Sequence, residues 1–192
     1  MELKIWSKTF LNAYRSLEKI VSAIDKIVLT SGLNSNMDVY YSASKIIELT
    51  DRKITLINLK LLIEDCLASL NCDDAKLLML KYVDRVKSED IAKVLDISTR
   101  TFFRRSNSSI KSFELALKGK NYSHKELKTM LSKEIWIMDL YNKLYKDEIL
   151  SERNKASKQK NNALKAEKEF DENKLLNLAY NSYKKLEPAL YY

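Results

Sequence analysis

Hydrophobic residues recur at steps of three and four along most of the chain, which is the spacing of amphipathic helices. In residues 1–70 two such segments flank the loop SGLNSN. The first segment carries an apolar seam that consists of Leu3, Trp6, Phe10, Ala13, Leu17, Ile20, Ile24 and Ile27. Such a seam either packs inside a hairpin or joins two chains in a coiled coil. We predict a helical hairpin over 1–70, with a homodimer through the first helix as the alternative.

Polar and small residues predict where these two helices end and begin. Gly32 is placed to end the first helix in the left-handed conformation, and Asn36 is suited to cap the second. The second helix is predicted to run to about Leu70. Its apolar residues cover more than one face, so we expect it to be sandwiched between neighbours.

Three shorter helices are predicted next, over residues 74–83, 89–95 and 99–118. Suitable N-caps precede them, namely Asp73, Ser88 and Ser98. A further helix is predicted from Ser123, because Ser123 and Glu126 have the spacing of a capping box.

The remaining sequence completes the predicted architecture. Residues 151–169 have almost no large apolar residue and form either a solvated helix or a flexible linker, ahead of a last amphipathic stretch. We therefore predict an all-α fold with a hairpin at 1–70, a central domain at 73–120 and a C-terminal helical region at 123–192.

Composition agrees with this fold and limits the function. The chain has two glycines and one proline, and its formal net charge is +8. No segment is long and apolar enough for a membrane span, and the amino end lacks the apolar centre of a signal peptide. We expect a cytoplasmic protein without a membrane partner, whose basic balance is typical of nucleic-acid binding.

The residues that usually carry catalysis or hold metals are sparse. His124 is the only histidine and begins a helix, so we expect it to be exposed to solvent. Five residues separate Cys66 from Cys72, a spacing that fits neither a zinc knuckle nor a CxxC redox motif. Gly32 and Gly119 cannot form a glycine-rich phosphate loop. We predict no catalytic residue, no metal and no cofactor, so the protein is not expected to be an enzyme.

The stretch EDIAKVLDISTRTFFRRS, residues 89–106, has the pattern of two short helices joined by a turn. Its inward positions are apolar, and they are Ile91, Ala92, Leu95, Ile97 and Phe102. Residues 98–120 contain six lysines and arginines and one glutamate, so the positive charge concentrates on the second of these helices. That combination fits a helix-turn-helix whose second helix enters the major groove.

The outward positions of the second helix suit base contacts. Arg100 and Arg104 can reach guanine or phosphate, and Asn107 can pair with adenine. Phe103 can lie against a thymine methyl or, equally, belong to the core.

Residues 73–117, DDAKLLMLKYVDRVKSEDIAKVLDISTRTFFRRSNSSIKSFELAL, resemble region 4 of bacterial sigma factors and the sigma-like transcription activators of phages. The resemblance implies a helix-turn-helix that binds promoter DNA and, in sigma factors, touches core RNA polymerase. Carried over by position, it places Thr99, Arg100, Phe103 and Arg104 at the bases. It places Lys87, Ser88 and Lys111 near the DNA backbone.

The chain departs from the sigma pattern in two ways. Residues 1–70 lack the aromatic and basic cluster that melts promoters, and a long helical region follows the motif. We therefore predict a sequence-specific transcription regulator, either an alternative sigma factor or a sigma-like activator, with promoter DNA and core RNA polymerase as partners. The alternative is an all-helical adaptor that binds proteins and does not read DNA.

Overall fold

The computed structural model describes residues 2–33 and 38–154, and this part of the chain is helical and contains no strand. The all-α prediction is confirmed. The predicted cap Asn36, most of the polar stretch 151–169 and the last amphipathic stretch lie outside the described residues.

The first two helices, α1 (Glu2–Leu33) and α2 (Val39–Ala68), pack against each other as a hairpin. Asp38 caps α2, since its carboxylate accepts a hydrogen bond from the Tyr40 amide at 3.0 Å. The seam of α1 lies inside the chain, where Trp6, Phe10, Ala13, Leu17 and Ile24 are buried. Those side chains are therefore not available to a second copy.

Two expectations about the hairpin are wrong. Gly32 does not end α1 in the left-handed conformation, because no described glycine has a positive φ. The helix α2 is not sandwiched along its length, because Ile47, Ile54 and Leu61 are exposed.

The central segment contains three helices joined by short turns. Helix α3 (Cys72–Leu78) continues as one π-helical turn (Met79–Val83) and is followed by α4 (Ser88–Val94) and α5 (Thr99–Gly119). The predicted caps Asp73 and Ser88 are wrong by one or two positions, because Asn71 caps α3 and Lys87 occupies the cap position of α4.

The predicted helix from Ser123 is divided in two. Helix α6 (His124–Met130) begins with the predicted capping box, in which Ser123 and Glu126 bond each other's backbone amides. The chain then turns, and residues 135–145 form α7. Glu134 precedes α7 and is buried, with the Arg52 guanidinium donating to both of its carboxylate oxygens at 2.9 and 3.2 Å. This ion pair holds the turn before α7 against α2.

One hydrophobic core joins these helices. Helix α1 packs against α2, α5 and the π-helical turn, and α3 and α4 pack against α5. The largest fully buried side chains come from several helices and include Trp6, Phe10, Leu56, Leu59, Leu77, Phe102 and Phe113. The predicted hairpin and the predicted central domain therefore share their core.

The chain divides after Tyr145 into two units. The helices α1 to α7 belong to the first unit. In the second unit the described residues, 146–154, are helical. None of the described helices is both long and apolar enough to cross a membrane.

Candidate nucleic-acid interface

The turn between α4 and α5 ends α4 without a glycine. Asp96 has φ 50°, in the left-handed region that Asn and Asp tolerate better than most residues. The Ile97 amide donates to the Ala92 carbonyl at 2.9 Å, and the Asp96 amide donates to the Lys93 carbonyl at 3.1 Å. These two bonds form a Schellman motif, which satisfies the last carbonyls of α4 and sends the chain directly into α5.

The start of α5 is capped as predicted. The Ser98 hydroxyl accepts a hydrogen bond from the Thr101 amide at 3.2 Å, which satisfies one of the free amides of the first turn. Cap and turn together fix where α5 begins, and so which of its residues point outward.

The inward face of α5 is buried along most of the helix. It consists of Phe102, Ser106, Ser109, Ile110, Phe113 and Leu117. The Ser109 hydroxyl donates to the Asp74 carboxylate at 2.6 Å and so ties α5 to α3. The inward positions named from the sequence also hold in α4, where Ile91 and Ala92 are buried.

The outward face of α5 carries the residues that were predicted to meet DNA. All of the following are exposed: Thr99, Arg100, Phe103, Arg104, Asn107 and Lys111. Their spacing of three and four residues from Arg100 onward places them along one side of the helix. The five residues from Arg100 onward therefore share one side of α5, and Thr99 is exposed at its first position; we call these six residues the α5 outer face.

The cations of the α5 outer face are not neutralised within the described chain. No described carboxylate lies within 4.0 Å of Arg100, Arg104 or Lys111. By contrast, Arg105 lies 4.0 Å from Asp73, and Lys120 bonds Asp65 at 2.9 Å. The α5 outer face thus keeps its positive charge, while basic residues beside it are paired with acidic ones.

Phe103 lies on the α5 outer face and not in the core. Its side chain is 54% exposed, and its ring meets the edge of Phe102 with 5.3 Å between ring centroids. Phe102 is fully buried. The sequence left the side of Phe103 open, and the structure presents its ring to solvent among arginines.

Lys87 and Ser88 lie at the beginning of α4. Lys87 is exposed, and its carbonyl accepts hydrogen bonds from the amides of Asp90 and Ile91 at 3.0 Å. Ser88 is the first residue of α4 and is partly buried. These two residues belong to a different helix from the α5 outer face.

Lys81 was not singled out from the sequence, yet it contacts the inward side of α5. From the π-helical turn its ammonium donates to the Ser106 hydroxyl at 2.6 Å and lies 5.5 Å from the centroid of the Phe102 ring. Burial lowers the pKa of Lys81, and the nearby charge of Lys8 lowers it further. Sequence pattern cannot show this contact, because the two partners are 25 residues apart.

His124 does not occupy the exposed position that was expected of it. The indole of the buried Trp6 donates to its Nδ1 at 2.9 Å, and the Tyr141 hydroxyl lies 3.4 Å from the same nitrogen. The imidazole is therefore a hydrogen-bond acceptor at the junction of α1, α6 and α7. The expectation failed because Trp6, the hydrogen-bond partner of His124, is 118 residues away in the sequence.

The other residues that can ligate metals are scattered. Within residues 2–33 and 38–154 no three His, Cys, Asp or Glu side chains lie close enough together to hold a metal ion. Cys66 is buried, and burial raises the pKa of its thiol to about 11, whereas Cys72 is exposed.

Comparison with known proteins returns no relative. No family model matches the chain, and no curated protein and no solved structure matches it significantly. The likeness of residues 73–117 to sigma region 4 therefore stays a prediction from the sequence.

Proposed function

We propose that this protein is a cytoplasmic, DNA-binding transcription regulator that reads promoter DNA through α5. In this proposal α4, the turn and α5 act as a helix-turn-helix of the sigma region 4 type. The protein then works as an alternative sigma factor or as a sigma-like activator.

The observation that carries the proposal is the α5 outer face. A helix that is buried on one side has the groups that read base edges when its other side presents an asparagine, an aromatic ring and arginines that no described carboxylate neutralises. Arg100 and Arg104 suit guanine or phosphate, Asn107 suits adenine, and the exposed Phe103 ring suits a thymine methyl. The DNA backbone would be held by Lys87, Ser88 and Lys111, as the resemblance to sigma region 4 implies.

The proposal is tested by removing the two arginines together. We expect Arg100→Ala/Arg104→Ala to weaken binding to the preferred promoter fragment by more than tenfold, since each good base contact contributes about 1 to 3 kcal/mol. If both arginines contact phosphate instead, the slope of log K against log salt falls by about 1.8. Fluorescence anisotropy at several salt concentrations measures both quantities.

A matched control removes two charges elsewhere. Lys19 and Lys26 are exposed on α1, and Lys19→Ala/Lys26→Ala changes the net charge equally. We expect this variant to bind the promoter fragment nearly as wild type does. Equal binding by the folded arginine variant and this control would show that α5 does not read DNA.

Association with RNA polymerase separates a sigma-like protein from a conventional transcription regulator. A sigma-like protein should retain core polymerase in a pull-down and support transcription from its own promoter in a reconstituted reaction. A protein that binds a DNA motif and retains no polymerase subunit would be a conventional regulator.

A second candidate is an adaptor that binds proteins through its helices. The exposed apolar residues of α2, which no described helix covers, favour it. An adaptor would show no preference among genomic fragments at physiological salt, whereas a promoter-reading protein prefers its own sites.

A further inference from the structure

Phe103 is the one large apolar side chain among the exposed residues at the start of α5. It is 54% exposed, and the next exposed large apolar residue of this helix is Leu115. At a rise of 1.5 Å per residue the two positions are about 18 Å apart along the helix. Along α5 the Phe103 ring is therefore an isolated apolar spot and not part of an extended apolar face.

The neighbours of Phe103 distinguish it from an ordinary exposed ring. Single exposed apolar residues are common on protein surfaces and need no ligand. Phe103, however, has Arg100 one turn before it, Arg104 beside it and Asn107 one turn after it. No described carboxylate lies within 4.0 Å of either arginine. A ligand that covers the ring therefore also meets two guanidinium groups, which bind anions and hydrogen-bond acceptors.

The position of the ring is supported from the core side. Phe103 meets the ring of Phe102 edge to face, with 5.3 Å between ring centroids and 68° between ring planes, an arrangement that aromatic pairs favour. Phe102 is fully buried, and the Lys81 ammonium lies 5.5 Å from its ring centroid. A side chain that is held before binding loses less conformational freedom when it is covered, so the Phe103 ring is pre-organised for contact.

The major groove of DNA offers one apolar group to such a ring. The base edges present hydrogen-bond donors and acceptors there, and the exception is the methyl group on C5 of thymine. The methyl group of 5-methylcytosine occupies the same place on its base, whereas uracil and cytosine carry hydrogen at C5. A side chain that contacts this group thus distinguishes methylated from unmethylated pyrimidines.

Spacing along the helix limits where that methyl group lies. Phe103 is about 4.5 Å along α5 from Arg100 and about 6 Å from Asn107. Successive phosphates of one DNA strand are about 3.4 Å apart along the helix axis. The pyrimidine therefore lies within about two base pairs of the bases that Arg100 and Asn107 contact.

Resting on the proposed function, we propose that Phe103 is a specificity-determining residue that contacts the C5 methyl group of a pyrimidine. The α5 outer face then recognises a thymine close to its guanine and adenine contacts, and 5-methylcytosine can take the place of that thymine. Binding at this position responds to cytosine methylation, which side chains that only donate and accept hydrogen bonds do not detect.

Uracil substitution tests the proposal on the full chain. A short duplex that the protein selects from a random-sequence library is remade with deoxyuridine in place of thymidine, one position at a time. This change removes the methyl group and keeps the base pair. We expect wild type to bind about fourfold more weakly when one particular thymine is replaced, which is the effect of one buried methyl group.

The variant Phe103→Ala separates the ring from the rest of the α5 outer face. It should bind the thymine and uracil duplexes equally, because it has no ring to cover the methyl group. The matched control is Leu115→Ala, which removes the other exposed large apolar side chain of α5 and should keep the fourfold preference. Alanine favours helix in both variants, and circular dichroism checks that they are folded.

A cytosine series gives a second measurement at the same position. When a C·G pair replaces the sensitive T·A pair, 5-methylation of the cytosine should strengthen wild-type binding about fourfold and leave Phe103→Ala unchanged. Fluorescence anisotropy at one salt concentration measures each ratio, so the contribution of phosphate contacts cancels.

The outcomes separate this inference from the proposed function. The role of Phe103 alone is overturned if wild type depends on Arg100 and Arg104 for binding but binds every uracil duplex as tightly as the thymine duplex. It is also overturned if folded Phe103→Ala keeps the preference for thymine. Wild type that selects no duplex from the library overturns both proposals. The uracil series with wild type decides the matter even if Phe103→Ala does not fold.

Discussion

Lys81 shows how one residue links the inward side of α5 to the π-helical turn that continues α3. Its ammonium group is partly buried, bonds the Ser106 hydroxyl and lies near two aromatic rings. An ammonium group that loses water without gaining a carboxylate is held in its charged form at a cost. Burial accordingly lowers the pKa of Lys81 in the folded chain.

We predict that Lys81→Met does not destabilise the protein at neutral pH and raises its free energy of unfolding by up to about 1 kcal/mol. Wild type should recover that difference at alkaline pH, because the folded chain releases the Lys81 proton below the ordinary value of 10.5. Urea unfolding of both proteins at about pH 7 and about pH 10 measures the change. A variant much less stable than wild type at neutral pH would show that the bond to Ser106 outweighs the cost of burial.

At the scale of single residues, the sequence predicted correctly which face of a helix a side chain lies on wherever helical spacing alone decides it. Phe102 and Arg104 lie on the predicted sides of α5. Phe103 sits near the edge between the two faces, so its spacing permits either side. His124 could not be predicted at all, because its hydrogen bond to Trp6 spans 118 residues.

At the scale of helices, three helical segments end on a left-handed residue that is not glycine. Arg85, Asp96 and Asn121 have φ between 50° and 61° and directly follow the cap residues of the π-helical turn, α4 and α5. Glycine adopts this conformation at no steric cost, and residues with a Cβ do not. The chain thus accepts some strain at the turns that set the directions of its central helices.

The turn before α5 allows a direct measurement of that strain. We predict that Asp96→Ala lowers the free energy of unfolding by about 1 kcal/mol, because alanine adopts the left-handed conformation less readily than aspartate does. Asp96→Gly should stay within about 0.5 kcal/mol of wild type, because relief of strain offsets the greater freedom of the unfolded glycine.

Urea unfolding measures both changes, and Lys93→Ala on the exposed side of α4 is the control for a surface alanine. If Asp96→Ala is as stable as Lys93→Ala, the left-handed conformation is not costly at this turn.

The sequence predicted that the helices exist, but it predicted only some of the residues at which they begin and end. The Ser98 cap and the Ser123 capping box are local patterns and are confirmed. The break before α7 was missed, because the apolar stripe continues in the sequence through the turn. In α2 the spacing shows two apolar faces, but it cannot show that one of them lacks a neighbour within the described chain.

At the scale of the whole molecule, α1 is the helix on which the first unit is assembled. It packs against α2, against the π-helical turn and against α5, and His124 of α6 bonds its Trp6. The predicted boundary near residue 70 follows a turn in the sequence. The hydrophobic core continues across this boundary. The sequence could not show this, because the core is formed by contacts between segments that are distant in the sequence.

We predict that residues 71–120 do not fold cooperatively by themselves. The fragment lacks α1 and α2, which pack against α5 in the whole chain, and a fragment of this size has little other core. Residues 1–145 should unfold in a single cooperative transition when followed by circular dichroism and urea. A cooperative transition of the isolated fragment would contradict this and would make the central segment an independent domain.

The packing of α1 also has a consequence during synthesis on the ribosome. Trp6 is made 118 residues before its hydrogen-bond partner His124. At roughly 5 to 20 residues per second that interval is about 6 to 24 s, during which α2, the π-helical turn and α5 are made in turn and cover α1 only step by step. The nascent chain is thus exposed to aggregation and to chaperone capture until α5 and α6 emerge, and translation speed across residues 70–124 becomes a determinant of yield.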